Sequence, residues 1–100
     1  TSLSLGSRHA LLTFARRHGV VLVENDLYSG LHYGDAAPAP IKKLDQNGDT
    51  VLLRSFSKIA FPGLRVGWVI GPRHFIGRLT EAKQWTDLHT DQLSQAALLR

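Results

Sequence analysis

Residues 54–69 read RSFSKIAFPGLRVGWV, and within this run two serines, a lysine and an arginine lie close together. The hydroxyls of Ser55 and Ser57 can donate to anionic oxygens. Arg65 offers a planar fork that matches a phosphate. Pro62 and Gly63 stand between them and favour a bend, so Arg65 is expected to return towards the serines. Lys58 can add a further phosphate contact. Alternatively, a lysine crowded by a second cation and shielded from water can lose its proton and attack a carbonyl. Simpler roles are open to each of these residues: serines that cap local backbone, a surface lysine, an arginine in an ordinary salt bridge. Neither a Gly-x-x-x-x-Gly-Lys loop nor a Gly-x-Gly-x-x-Gly turn is present, so the ordinary nucleotide cradles are unsupported.

The elements that must position these residues can be read on either side. TVLLR, residues 50–54, has the composition of a strand, and the Ser-Lys run begins just past its end. That is where open α/β sheets place their ligand sites. RVGWVI, residues 65–70, reads as another strand. VVLVEN, residues 20–25, is rich in β-branched residues and is expected to be covered on both faces, as in a parallel sheet flanked by helices. Ahead of it, residues 4–18 put Leu11, Leu12 and Ala15 on a helical stripe with Phe14 at its edge. Ser4 or Ser7 suits the N-cap, and Gly19 the left-handed position after the last turn. A later helix is expected from Pro72 to about Gln84, with Phe75, Ile76 and Leu79 on one face. A last one, capped by Thr90 or Asp91, holds Leu93, Ala96 and Ala97. The connection from Asp26 to Thr50 is long and carries Gly30, Gly34, Pro38, Pro40, Lys42, Lys43 and the turn-like QNGD, so it is expected to line a site. The result is an α/β layer, partly doubly wound or mixed. Its three strands need neighbours that a longer chain would supply.

Composition narrows the functional classes. The chain has 100 residues, no cysteine, and 12 Lys and Arg against 8 Asp and Glu, for a formal charge of +4. The basic residues are dispersed, with Arg8, Arg16, Arg17 and His18 on the first helix and Arg73, Arg78 and Lys83 on a later one. A nucleic-acid surface needs a stripe or patch, so solvated helix faces are the better reading. Without cysteine there is no disulfide framework or thiolate metal site, and the five histidines have no paired-ligand spacing, so no metal is expected. No apolar run is long enough for a membrane span, and the expected location is cytoplasmic.

SFSKIAFPGLRVGWV resembles the lysine segment of fold-type I pyridoxal-phosphate enzymes, in the aminotransferase class I/II family. VENDLYSGLHYG is similar to that family's Glu-Asp-Asp-x-Tyr strand end. The resemblance covers essentially the whole chain. It implies a fragment of the large domain of such a transferase, an α/β fold with a mainly parallel sheet flanked by helices. Residues 1–100 would form part of the domain that binds pyridoxal 5'-phosphate. By position, Lys58 is similar to the Schiff-base lysine and Arg65 to the phosphate arginine. Ser55 and Ser57 match the phosphate hydroxyls, Ser55 more firmly, and Tyr28 the tyrosine that hydrogen-bonds the ring hydroxyl. The acid that faces the pyridine nitrogen lies three residues before that tyrosine, where this chain has Asn25. Asparagine can bond the nitrogen without supplying charge, which weakens carbanion chemistry. Asp26 would replace it only if a bulge shifted the strand end. Phe61 before Pro62, where the family commonly has a small residue, is a milder departure.

Within the family, the resemblance leans towards the aminotransferase-like domain of a MocR-subfamily GntR-type transcriptional regulator. Such a domain would sense a small amine or amino acid through aldimine formation, as a homodimer, with DNA bound only by a separate N-terminal winged helix. The alternatives are a free-standing aminotransferase acting on an amino acid and a 2-oxo acid, and an interaction module that has lost its cofactor.

Overall fold

The computed structural model describes residues 2–33 and 38–99. Gly34, one of the turn signals of the long connection, lies outside the described residues.

Helix α1 spans Leu5–His18. Ser4 is its N-cap, with Oγ accepting from the Ser7 amide at 3.1 Å, which satisfies one of the first-turn donors that lack a helical partner. Gly19 ends the helix at φ 62°, where a side chain would be strained. Leu12 and Ala15 are buried as their spacing predicts, while Phe14 is exposed and packs against the His18 ring.

Three strands, β1 (Leu22–Asn25), β2 (Thr50–Ser55) and β3 (Gly67–Ile70), form one sheet in that order. β1 and β2 are parallel, with Leu22 opposite Thr50 and Asn25 opposite Leu53. β2 and β3 are antiparallel, with Leu53 opposite Val69 and Ser55 opposite Gly67. The sheet is therefore mixed. A parallel β3 would need a crossover of about a dozen residues or more, and the chain instead turns back through two short 3-10 turns. β1 begins at Leu22 rather than Val20 and alternates, with Leu22 and Glu24 half-buried and Val23 and Asn25 exposed. The continuous covering expected for this strand is not found among the described residues.

The core lies on the central strand. Val51 and Leu52 are buried with Leu12, Ala15 and Ile41, and each of the Val, Leu and Ile side chains contributes about 1.5–3 kcal/mol by leaving water. Ile41 belongs to a single helical turn, α2 (Ile41–Leu44), so Lys42 and Lys43 lie on a helix rather than in the expected loop. Glu24 explains that turn. Its carboxylate accepts from the amides of Ile41 at 2.8 Å and Lys42 at 3.0 Å, and so holds the long connection against β1.

Asp45 closes the QNGD turn. Its carboxylate accepts from the amides of Asn47, Gly48 and Thr50 and from Lys42 Nζ. Helix α3 (Arg73–Thr86) follows Pro72 and half-buries Phe75 and Ile76. Helix α4 (Gln92–Leu98) is capped by Asp91, which accepts from the Ser94 amide at 2.7 Å. Among the described residues, no helix is long and apolar enough to cross a membrane.

Candidate functional site

β2 delivers Ser55 at its last position, and the chain enters a 3-10 turn, Phe56–Lys58. Ser55 Oγ caps that turn by accepting from the Ser57 amide at 3.0 Å, so this serine does cap local backbone. The same oxygen lies 2.9 Å from Ser57 Oγ, which brings the two hydroxyls together. A second 3-10 turn, Pro62–Leu64, reverses the chain as the Pro-Gly pair predicts. Arg65 then returns, and its Nη1 donates to Ser57 Oγ at 3.2 Å and to the Pro62 carbonyl at 3.3 Å.

Arg65 adopts φ 53°, ψ 36°, the left-handed region. For a residue with a Cβ that conformation costs on the order of 1–2 kcal/mol, and it persists only where the surroundings enforce it. It turns the guanidinium onto the serine pair. Among the described residues no carboxylate pairs with Arg65, so its fork is available to an anion. The ordinary salt bridge that the sequence left open is not found among the described residues.

Lys58 ends the first 3-10 turn and is exposed. Its Nζ lies 5.9 Å from the centroid of the Tyr28 ring, at the outer reach of a cation–π contact. Tyr28 follows β1 and precedes a 3-10 turn, Ser29–Leu31. The parallel pairing of β1 and β2 places both strand ends, and so Tyr28 and Lys58, at the same edge of the sheet.

Asn25 and Asp26 take opposite directions. Asn25 pairs with Leu53, which pairs with Val69, so it shares a face with Leu53 and, two residues on, with Ser55. Asp26 continues the ladder, its amide donating to the Leu53 carbonyl at 3.0 Å. Its carboxylate meets the other face, where Arg54 donates to Oδ2 through both Nε, at 3.0 Å, and Nη2. Burial by itself would raise the Asp26 carboxyl, but hydrogen bonds from Arg54 and Ser29 and the Arg54 charge hold it below the usual carboxylate range. No bulge turns Asp26 towards the serines.

Three contributors were not evident from the motifs. Glu24 and Arg54 act through long-range pairs that local sequence does not show. Gly67 sits opposite Ser55, and a Cβ there would come within 2.8 Å of the Arg54 carbonyl oxygen. A small residue across from the Ser-x-Ser-Lys strand was the available signal. Among the described residues no three acidic or histidine side chains gather as a metal site.

Comparison with known proteins gives the family. The family model for aminotransferase class I and II matches residues 1–99. An uncharacterized aminotransferase of Saccharolobus solfataricus is 40% identical over 95% of this chain and 24% of its own length. An uncharacterized HTH-type transcriptional regulator of Bacillus subtilis is 37% identical over 93% of this chain and 19% of its own. Among solved structures, the alpha-aminoadipate aminotransferase of Thermus thermophilus, complexed with N-(5'-phosphopyridoxyl)-L-leucine, superposes with a TM-score of 0.88. It is 36% identical, over 92% of this chain and 24% of that one. The chain thus spans about a quarter or less of the length of these relatives. With residues 1–99 matched by its model, the chain belongs to the aminotransferase class I and II family.

Proposed function

We propose that this chain is the cofactor-gripping part of the large domain of a pyridoxal-phosphate-binding protein. We further propose that the whole protein is a MocR-type GntR regulator sensing a small amine or amino acid. One observation carries the first statement: Ser55, Ser57 and Arg65 converge while Lys58 faces Tyr28 at 5.9 Å. Pyridoxal 5'-phosphate is the cofactor indicated by the family, and the residues present fit it. Two hydroxyls and a guanidinium suit a phosphate dianion, a primary amine suits an aldehyde, and a phenol suits the ring oxygen. When bound, the cofactor supplies an aldehyde that joins amines and a ring that draws electrons from the joined carbon.

Each residue then has a stated task. Arg65, Ser55 and Ser57 anchor the phosphate and keep the ring from shifting. Lys58 Nζ would be the amine that holds the aldehyde. With its amine free, Lys58 Nζ would be placed to take and return a proton at the α-carbon of a bound amine. The Tyr28 hydroxyl would donate to the ring oxygen, and the Asn25 amide would bond the pyridine nitrogen without adding charge.

Asn25 supports the sensor over the catalyst, because an amine can be held without the ring charge that turnover demands. The similarity to a transcriptional regulator of Bacillus subtilis supports the same reading. Such a protein would act as a homodimer in the cytoplasm, with DNA held by a winged helix elsewhere in the chain. The 40% identity to an uncharacterized aminotransferase of Saccharolobus solfataricus favours the second reading, a free-standing enzyme moving amino groups to 2-oxo acids. The joint presence of Lys58, Arg65, Ser55 and Tyr28 disfavours a module without cofactor.

Borohydride reduction of full-length protein loaded with pyridoxal phosphate tests the assignment. The reduced cofactor should map to Lys58. Attachment at Lys42 or Lys43, or no attachment, refutes it. A gel-shift assay with the protein's own upstream DNA, with and without an amino acid, separates regulator from enzyme.

A further inference from the structure

Arg54 stands directly before the Ser-x-Ser-Lys run, yet its side chain points away from the serines. It reaches across the sheet to the segment carrying Tyr28 and grips that segment on both sides of the tyrosine. Nε and Nη2 donate to Asp26, two residues before it, and Nη2 donates to Ser29 Oγ, one residue after it, at 3.2 Å. The pair is largely sheltered, with 14% of the Asp26 side chain and 35% of the Arg54 side chain accessible. A guanidinium fork can hold both partners at once, as a lysine cannot.

A second contact locks the same two loops. Gly30, just past Tyr28, lies against Ile59, just past Lys58. A Cβ on Gly30 would come within 2.9 Å of Ile59 Cγ2. Tyr28 is thus bracketed by Asp26, Ser29 and Gly30, and Lys58 by Arg54 and Ile59. Each bracket closes on the other.

We propose that the Asp26–Arg54 ion pair is a positioning clamp that joins the two motif loops and fixes the separation of Tyr28 from Lys58. Asp26 is then a positioning residue and not the acid of the pyridine nitrogen. It acts on the ring oxygen and the lysine linkage only through the tyrosine it holds. This inference rests on the cofactor assignment made above.

The test uses full-length protein loaded with pyridoxal phosphate, read by the pH midpoint of the visible band of the lysine-linked cofactor. A phenol that donates to the ring oxygen lowers the proton affinity of the adjoining linkage, so displacing Tyr28 should raise the midpoint. Asp26→Asn and Arg54→Gln should each raise it by the same amount, and the double variant should raise it no further, because both remove one interaction. Arg54→Lys keeps the charge but loses the simultaneous grip, and should fall between parent and Arg54→Gln. This milder change also guards against loss of folding. Cofactor affinity should fall far less than in Arg65→Ala.

A midpoint unmoved in these variants overturns the clamp and leaves the cofactor assignment standing. So does an Asp26→Asn effect much larger than that of Arg54→Gln, which would put Asp26 at the ring itself. A parent protein that takes up no cofactor overturns the assignment, and the clamp with it.

Discussion

Asn25 and Asp26 are neighbours in the chain and point to opposite faces of the sheet: Asp26 is bound by Arg54, while Asn25 shares the face that carries Ser55. The acid is therefore committed elsewhere, and the amide occupies the place where the resemblance expects a carboxylate. Asn25→Asp should accelerate amino-group transfer from an amino acid to the bound cofactor, followed by single-turnover absorbance. Asp26→Asn should slow it no more than Arg54→Gln does. A fast parent insensitive to Asn25→Asp would favour the free-standing aminotransferase.

Arg65 combines charge with an enforced left-handed backbone, and the two can be separated. Arg65→Ala should lower pyridoxal-phosphate affinity by roughly tenfold to a hundredfold, the range of a lost charge-assisted phosphate contact. Arg65→Gly should lose the same affinity but melt no lower than the parent in the cofactor-free state, because glycine is unstrained there. Equal affinity in parent and Arg65→Ala, by equilibrium dialysis, would remove the phosphate assignment.

Gly67 faces the strand that presents Ser55. A Cβ 2.8 Å from the Arg54 carbonyl oxygen meets backbone, which cannot swing aside as a flexible side chain can. Gly67→Ala should destabilise the protein by about 1–3 kcal/mol, as overpacking does, and should weaken cofactor binding by moving the strand end. Chemical denaturation and cofactor titration of the same variant would show both. An unchanged denaturation midpoint would mean the strands separate without cost.

Asp45 gives a pH signature. Burial acts to raise its carboxyl, but the amides of its turn and the Lys42 ammonium outweigh that and lower it to about 2 from 3.8. The folded value lies below the unfolded one, so the stabilisation is present above about pH 4 and is lost as pH falls through about 2. The size is about 2 kcal/mol. Asp45→Asn should reduce stability by a comparable amount at neutral pH, with the gap narrowing below pH 4 in acid-unfolding curves. A constant gap from pH 7 to pH 2 would contradict this account.

Much of the local structure was legible because its causes are local. The stripe of Leu12 and Ala15, the Ser4 cap and the left-handed Gly19 all act within a few residues, and α1 follows from them. The Pro62-Gly63 bend brought Arg65 back to Ser57 for the same reason, and the Ser-x-Ser-Lys and Asn-Asp-x-Tyr runs marked the candidate site. Tertiary structure decided what depends on partners distant in sequence. The covering expected over β1 was not found among the described residues, because periodicity shows that a strand is apolar and not which neighbours shield it. The sheet is mixed because a short return through two turns cannot supply a parallel crossover. Glu24 became a helix cap and Arg54 the partner of Asp26 and Ser29 only when the fold brought residues 41 and 26–29 to them. Charged side chains find partners through space, and sequence spacing does not encode which one they meet.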